Sequence, residues 1–414
     1  NNDTDLYSYF KEHGELPDIM TVRRFSGTDA QDLQPYLMDF ASYDVVSKYY
    51  SYAVEYYKDT DDEIQWLPIC AIPQTIIANK TLFDQYGIKV PENYEEYVQV
   101  CQQFYDKGIK PYSMDLAEDW SNQEIIQAAA IGEFTSLDGI DWRNKAETSA
   151  GEIKFDDVLW KRIFSETSQF LKDSHFSKED INVNINTGTQ MFVEEKSAMF
   201  HGQPTDMQKL QDQMDAELIR IPYFSQTSDS SFVYMFPSLN IAFNKKLEKN
   251  KEKLDTALDV LDCMISEQGQ KLIADGSGVI SLNTDVPSMM QNVPGLEEEI
   301  KDTSIYIRYS AQKSFDASLE AVHGLLSGKM DEMQAYNAFR SAMNSKDSKE
   351  KSTVNFENEY SILLTDTTKS ILKKINPKCA IEQIGDTTLS SAWIAAMSNG
   401  QQPSAPEDYI EVEK

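Results

Sequence analysis

The clearest punctuation of apolar and polar positions lies between residues 75 and 114. The run 75–78 is β-branched and apolar and predicts a short strand. Asn79 and Lys80 lead from it into a short helix over 82–86, which Gly87 ends. Pro91 and Asn93 open a second helix. Asn93 suits its cap, and Glu96 three residues on comes close to a capping box. Tyr94, Tyr97, Val98, Cys101 and Phe104 fall three or four apart and form one apolar face. Gly108 follows the last turn and Pro111 forbids continuation. Helices are also expected over 121–131, 160–171 and 185–194. Another falls where Leu254, Ala257, Leu258, Leu261 and Met264 are in period. Partial alternation at Leu239, Ile241 and Phe243 predicts a strand within 232–245.

Composition narrows the classes. A chain of 414 residues is long enough for two or three domains, and 41% hydrophobic content supports sizeable cores. Its 38 basic and 68 acidic residues give a charge of −30. Nucleic acid is therefore not an expected partner, since backbone binding needs clustered Lys and Arg. An anionic membrane surface would repel the chain for the same reason. No run of about 18 apolar residues occurs to span a bilayer. Cys70, Cys101, Cys263 and Cys379 are scattered with no CxxC pair, and Cys101 and Cys263 are read as thiols on the apolar faces of helices. His13, His175, His201 and His323 lie far apart, and no metal site or cofactor is expected. P-loop, G-x-S-x-G, H-E-x-x-H and G-x-G-x-x-G motifs are absent, so no catalytic residues are assigned.

The order of the motifs resembles the extracellular solute-binding proteins that feed sugars to ABC importers. Residues 79–97 are similar to that family's first crossing between lobes, with its pattern YNK-LF-xxGI-xxP. Leu16-Pro17-Asp18-Ile19, residues 63–68, the step QMFVEEKSAMF over 190–200, and Ser266-Glu267-Gln268-Gly269-Gln270 with Gly278 also match its pattern. Residues 317–326, 327–330 and 335–343 resemble its closing helical pair. The resemblance implies an α/β, two-lobed type-II periplasmic-binding-protein fold with an interlobe cleft, plus a small C-terminal extension. The expected division is 1–78 with 237–285 for lobe one, and 79–236 with 286–344 for lobe two. Residues 345–414 follow as linker and extension, the linker reading NSKDSKEKST over 344–353. The extension faintly resembles the small C-terminal module of 5′-nucleotidase-like proteins. The family places a strand and a long helix before the segment that opens this chain, so further residues upstream, including a signal peptide and lipobox cysteine, are expected.

Sugars present an apolar C–H face rimmed by hydroxyls, which suits aromatic platforms flanked by planar polar groups. Trp120 is expected in a loop before a helix, beside Asp119, Asn122 and Gln123, where the family places cleft aromatics. Trp66, just before Pro68, is a second candidate, with core packing as its alternative. His201 and Gln203 occupy a loop that usually ends in a stacking Trp in the family; Pro204 stands there instead. His201 or Gln203 would hydrogen-bond a hydroxyl, or His201 would be a satisfied loop histidine. Tyr234 and Phe236 either floor the cleft or pack between the lobes. Phe315 and Asp316 fall where the family starts a helix bearing a binding aromatic.

The resemblance implies capture of a neutral mono- or oligosaccharide by a monomer, hinge closure near residues 76–79 and 237–240, and delivery to a membrane permease. It implies an extracellular, lipid-anchored setting at a Gram-positive cell surface. Alternatives are a ligand-sensing ectodomain without transport, or a nucleotidase-like second function in the extension.

Overall fold

A computed structural model describes residues 3–22, 30–59, 61–148, 153–274, 278–286, 293, 295–299, 304–345, 364–365 and 409–410. Residues up to Ser345 form one compact unit. In the second unit, from Lys346 onward, the described part is an antiparallel pair of Leu364–Thr365 with Tyr409–Ile410. The remainder of the expected linker and extension over 346–414 lies outside the described residues.

Among the described residues, eight strands build the larger unit: β1 (Ile19–Val22), β2 (Leu67–Asn79), β3 (Lys110–Ser113), β4 (Ser197–Gly202), β5 (Leu218–Ile221), β6 (Tyr223–Phe224), β7 (Ser231–Phe243) and β8 (Ser304–Ile307). The main path is β1-β7-β2-β4-β3. The short strand read at 75–78 is the end of a 13-residue strand. Pro68 and Pro73 hid the rest, because proline cannot donate to a ladder. The strand shifts register between Pro68 and Cys70 and again before Ala71, whereas Pro73 sits in unbroken register opposite Met235.

β2 serves two sheets in turn. From Leu67 to Gln74 it pairs antiparallel with β7, ending on Gln74 opposite Tyr234. From Thr75 to Ala78 it pairs with β4, and from Ile76 to Asn79 with β5 on its other side. The cores follow that change. Met20, Leu67, Ile69, Ala71, Ile241 and Phe243 belong to a first core. Ile76, Ala78, Tyr112, Met199 and Trp160 belong to a second. Ile77, on the opposite face of the strand, joins Phe192, Phe200 and Leu210. The second sheet is therefore covered on both faces, as in an α/β sandwich.

β7 and β8, paired in parallel, lie between the two cores. Successive strand side chains point to opposite faces. Phe232, Tyr234 and Tyr306 enter the second core, and Val233, Met235 and Ile307 enter the first. Val293 and Leu296 still pack with the first core, so the third passage between the cores falls near Tyr306.

Local chemistry sets the helices. Asn79 accepts a hydrogen bond from the Leu82 N–H at 2.9 Å and caps Lys80–Tyr86, and Gly87 ends that helix at φ 64°, a conformation that suits glycine. Asn93 likewise accepts from the Glu96 N–H. The expected capping box is only half made, because the Glu96 carboxylate accepts instead from the Glu92 N–H at 3.0 Å. Cys70 and Cys101 are buried, but Cys263 is exposed, contrary to its expected place on an apolar face. On the helix Lys251–Ile265 the buried positions are Ala257, Leu261 and Ile265, and Cys263 faces away from that row.

The third passage is clamped by one helix, Asp119–Ala129. Gln123 and Gln127 both donate to the Tyr309 carbonyl, at 2.6 and 2.9 Å. The Gln127 amide oxygen accepts from the Tyr309 N–H at 2.9 Å and the Tyr306 hydroxyl at 2.6 Å. Gln127→Ala would remove the acceptor of two buried donors and is expected to cost about 2–6 kcal/mol, at about 1–3 kcal/mol per orphaned group. An unchanged denaturation midpoint would contradict this clamp.

Glu166, on the helix Asp157–Asp173, is buried beside Glu133. Burial, then the Glu133 charge, pushes its carboxyl up to about 7. The folded chain holds a proton there that the unfolded chain has released above the ordinary carboxyl range. The stability this contributes at low pH is lost as pH rises toward 7. Glu166→Gln should therefore match the wild type in melting temperature at pH 4.5 and exceed it at pH 8. A constant difference across that range would contradict the shift.

Candidate functional site

The polar side chain that interrupts the apolar run of β2 is Gln74, at the residue where the strand changes partners. Its Nε2 donates to Glu124 Oε2 at 3.0 Å. Glu124 comes from the clamping helix, and the same oxygen lies 2.6 Å from His201 Nε2 at the end of β4. His201 Nδ1 lies 2.9 Å from the Tyr223 hydroxyl, with Tyr112 more distant at 3.5 Å. Arg308, directly after β8, makes an ion pair with Glu124. Its guanidinium sits over the Phe236 ring, 4.2 Å from the centroid.

This cluster is out of water: the side chains of Glu124 and His201 are 1% and 3% exposed. Burial lowers the His201 pKa, so the imidazole is neutral at physiological pH. A neutral ring that donates from Nε2 to the carboxylate must accept at Nδ1, and the Tyr223 hydroxyl supplies that proton. A buried carboxylate is tolerated only when it is paired and hydrogen-bonded. Arg308, Gln74 and His201 together meet that need.

Half-buried aromatic side chains flank the cluster. Trp120 has its ring centroid 6.2 Å from that of His201. Phe236 stands opposite Ile72 in the β2–β7 register. Gln203 is the N-cap residue of the helix Pro204–Gln211, and its backbone N–H donates to the Asp206 carboxylate at 3.0 Å. Nearby, Gly278 abuts the start of that helix. Its φ is +63°, and a Cβ there would lie 2.8 Å from Pro204 Cβ. Glycine is required on both counts.

The structure thus brings together Trp120, His201 and Phe236 from among the residues singled out in the sequence. Two of them differ in setting from expectation. Trp120 is the second residue of a helix, not part of a preceding loop. His201 is a buried strand residue, not a loop residue, and Gln203 is a helix cap. Asp119 accepts from the Trp120 N–H at 2.7 Å. Asn122 donates to the carbonyls of Leu116 and Glu118, bracing the turn that leads into Trp120. Tyr234 is buried in the second core between the rings of Tyr223 and Tyr306. Trp66 packs in the first core. Phe315 is buried and Asp316 exposed on the helix Gln312–Leu326. None of the contacts that build the cluster involves Trp66, Phe315 or Asp316.

Gln74, Glu124, Arg308 and Tyr223 escaped the sequence reading. The first three carry a faint signal, namely a polar residue in an apolar strand, an acid in a helix running into Ala-Ala-Ala and a cation between tyrosines, whereas Tyr223 carries none. Among the described residues, no group of three or more His, Cys, Asp or Glu is placed to hold a metal. No helix among them is long and apolar enough to cross a membrane. The carboxylate of Glu124 and both ring nitrogens of His201 are engaged within the cluster, whereas the buried Gln74 amide oxygen has no hydrogen-bond partner among the described residues. The buried cluster is a fixed polar base, and beside it stands the half-buried Trp120 ring, an aromatic face suited to the C–H surface of a polyhydroxylated ring.

Comparison with known proteins bears on this geometry. The sequence profile of the bacterial extracellular solute-binding proteins matches residues 11–302. The multiple sugar-binding protein of Streptococcus mutans serotype c is 24% identical over 202 residues, 44% of this chain. That match spans 47% of the relative's own length. A family 1 extracellular solute-binding protein from Bifidobacterium longum subsp. infantis superposes with a TM-score of 0.66 at 15% identity, covering 82% of this chain and 87% of that one. A sugar transporter from Bacillus licheniformis, solved in complex with stachyose, gives 0.58 at 14% identity, covering 81% and 87%. These likenesses establish the two-lobed α/β fold. With a profile match across most of its length, the chain belongs to the bacterial extracellular solute-binding proteins.

Proposed function

We propose that this protein captures a neutral mono- or oligosaccharide between its two lobes and delivers it to the membrane permease of an ABC importer. The observation that carries the reading is the convergence of Gln74, Glu124, His201 and Arg308 on one buried cluster, flanked by the half-buried rings of Trp120 and Phe236. The sugar's C–H face would stack on Trp120, with Asp119 and Gln203 at the rim to orient hydroxyls. Closure of the lobes on the sugar is a population shift, driven by contacts available only in the closed form. The bound stachyose of the Bacillus licheniformis protein supports a sugar of this class. Membership of an extracellular family supports a place outside the cytoplasmic membrane. Attachment there through a lipidated N-terminus, on a Gram-positive cell, is part of the same proposal.

A thermal-shift screen against raffinose, stachyose and neutral monosaccharides tests the reading. A sugar at 100 times its Kd should stabilise the fold by about 2.7 kcal/mol. Trp120→Ala should weaken that sugar by roughly 1–3 kcal/mol, the range for an anchoring side chain, with the ligand-free melting temperature nearly unchanged. Full affinity in a destabilised Trp120→Ala protein would return Trp120 to a packing role and remove the stacking site.

A further inference from the structure

A second groove straddles the two cores, with a volume of about 540 Å³. Its floor is β8, all four residues of which line it. Tyr52 and Tyr56 form the wall on the first core's side, and Phe134 and Arg143 the wall on the second's. None of Gln74, Trp120, Glu124 or His201 borders it.

Arg143 is the informative residue. Its guanidinium carbon sits 4.2 Å from the Tyr56 ring centroid and 5.6 Å from that of Tyr306. Neither ring supplies a lone-pair acceptor for the N–H donors of the group. Nη2 is buried and has no hydrogen-bond partner among the described residues. A guanidinium cannot shed its charge to escape that penalty. The hydroxyl of Tyr52, another residue of the lining, is likewise buried without a partner among the described residues. The rest of the lining mixes the rings of Tyr56, Phe134, Phe232 and Tyr306 with isoleucine, serine and threonine side chains. Glu55 at the rim is exposed and already paired with Lys58.

We infer that this groove is a separate binding site for a small organic monoanion, a carboxylate carried on a flat ring. The carboxylate pairs edge-on with Arg143, as planar guanidinium–carboxylate geometry favours. The ring lies among Tyr56, Phe134, Phe232 and Tyr306. A polar substituent on the ring would reach the Tyr52 hydroxyl. The acid at the rim disfavours ligands of higher negative charge. The volume falls within the usual range for small-molecule sites, about 300–1,000 Å³. An occupant would touch both cores at their junction, although it shares no residue with the sugar site.

Benzoate and its neutral isostere benzamide are the probes, read by saturation-transfer NMR and calorimetry on the whole chain. Benzoate should bind one to one, with benzamide at least tenfold weaker. Arg143→Gln should remove that preference and leave sugar binding unchanged, while Trp120→Ala should leave benzoate binding intact. Absence of benzoate binding at millimolar concentration, or equal binding of the two probes, would overturn the proposal. So would benzoate binding that survives Arg143→Gln but is lost in Trp120→Ala. The probe comparison in the wild-type protein decides the matter if Arg143→Gln fails to fold.

Discussion

The buried carboxylate of Glu124 is the constraint on which the junction depends. A charge so far from water is tolerable only with a countercharge and hydrogen bonds in place. The groups that satisfy it come from distant parts of the chain. Gln74 belongs to the first passage between the cores, and Arg308 to the third. Arg308 in turn rests on Phe236, from the second. His201 brings in the end of β4, and Tyr223 lies behind it. All three passages are thereby referred to a single group, and an error in the position of one would leave a charge unpaired.

The passages differ in how they allow movement. β2 simply changes partners between Gln74 and Thr75, handing its ladder from β7 to β4. β7 and β8 instead lie between the cores and contribute alternate side chains to each. The Gln123 and Gln127 side chains hold the segment after β8 to one lobe, while the Arg308 N–H reaches the Met235 carbonyl and its carbonyl accepts from Tyr56. A relative rotation of the lobes would therefore bend a paired ribbon and spare each clamp. That is the mechanical content of the proposed hinge, and it places the flexing region nearer Gln74 and Tyr234 than the segments 76–79 and 237–240 suggested by the sequence.

Legibility in the sequence followed locality. The caps at Asn79 and Asn93 and the stop at Gly87 depend on side chains within a few residues, and all three were readable. Trp120 was readable as a candidate because motif order located it. What escaped was non-local. The length of β2 was masked by its two prolines. Nearly every position of the helix Asp119–Ala129 from Ser121 onward is buried, so it offered no apolar stripe by which to single out Glu124 or Gln127. Arg308 becomes meaningful only once β8 is seen beside β7. Partners separated by fifty to nearly two hundred residues leave no periodic trace.

The central claim is that the lobes close about this junction on a carbohydrate. Small-angle X-ray scattering, with and without a saturating amount of the sugar that stabilises the protein most in the thermal screen, tests it most directly. The account requires the radius of gyration to fall when the sugar binds, and in Trp120→Ala to fall only at the higher sugar concentrations that follow that variant's weakened Kd. An unchanged radius of gyration in the wild-type protein, with calorimetry showing the sugar bound at full occupancy, would contradict it.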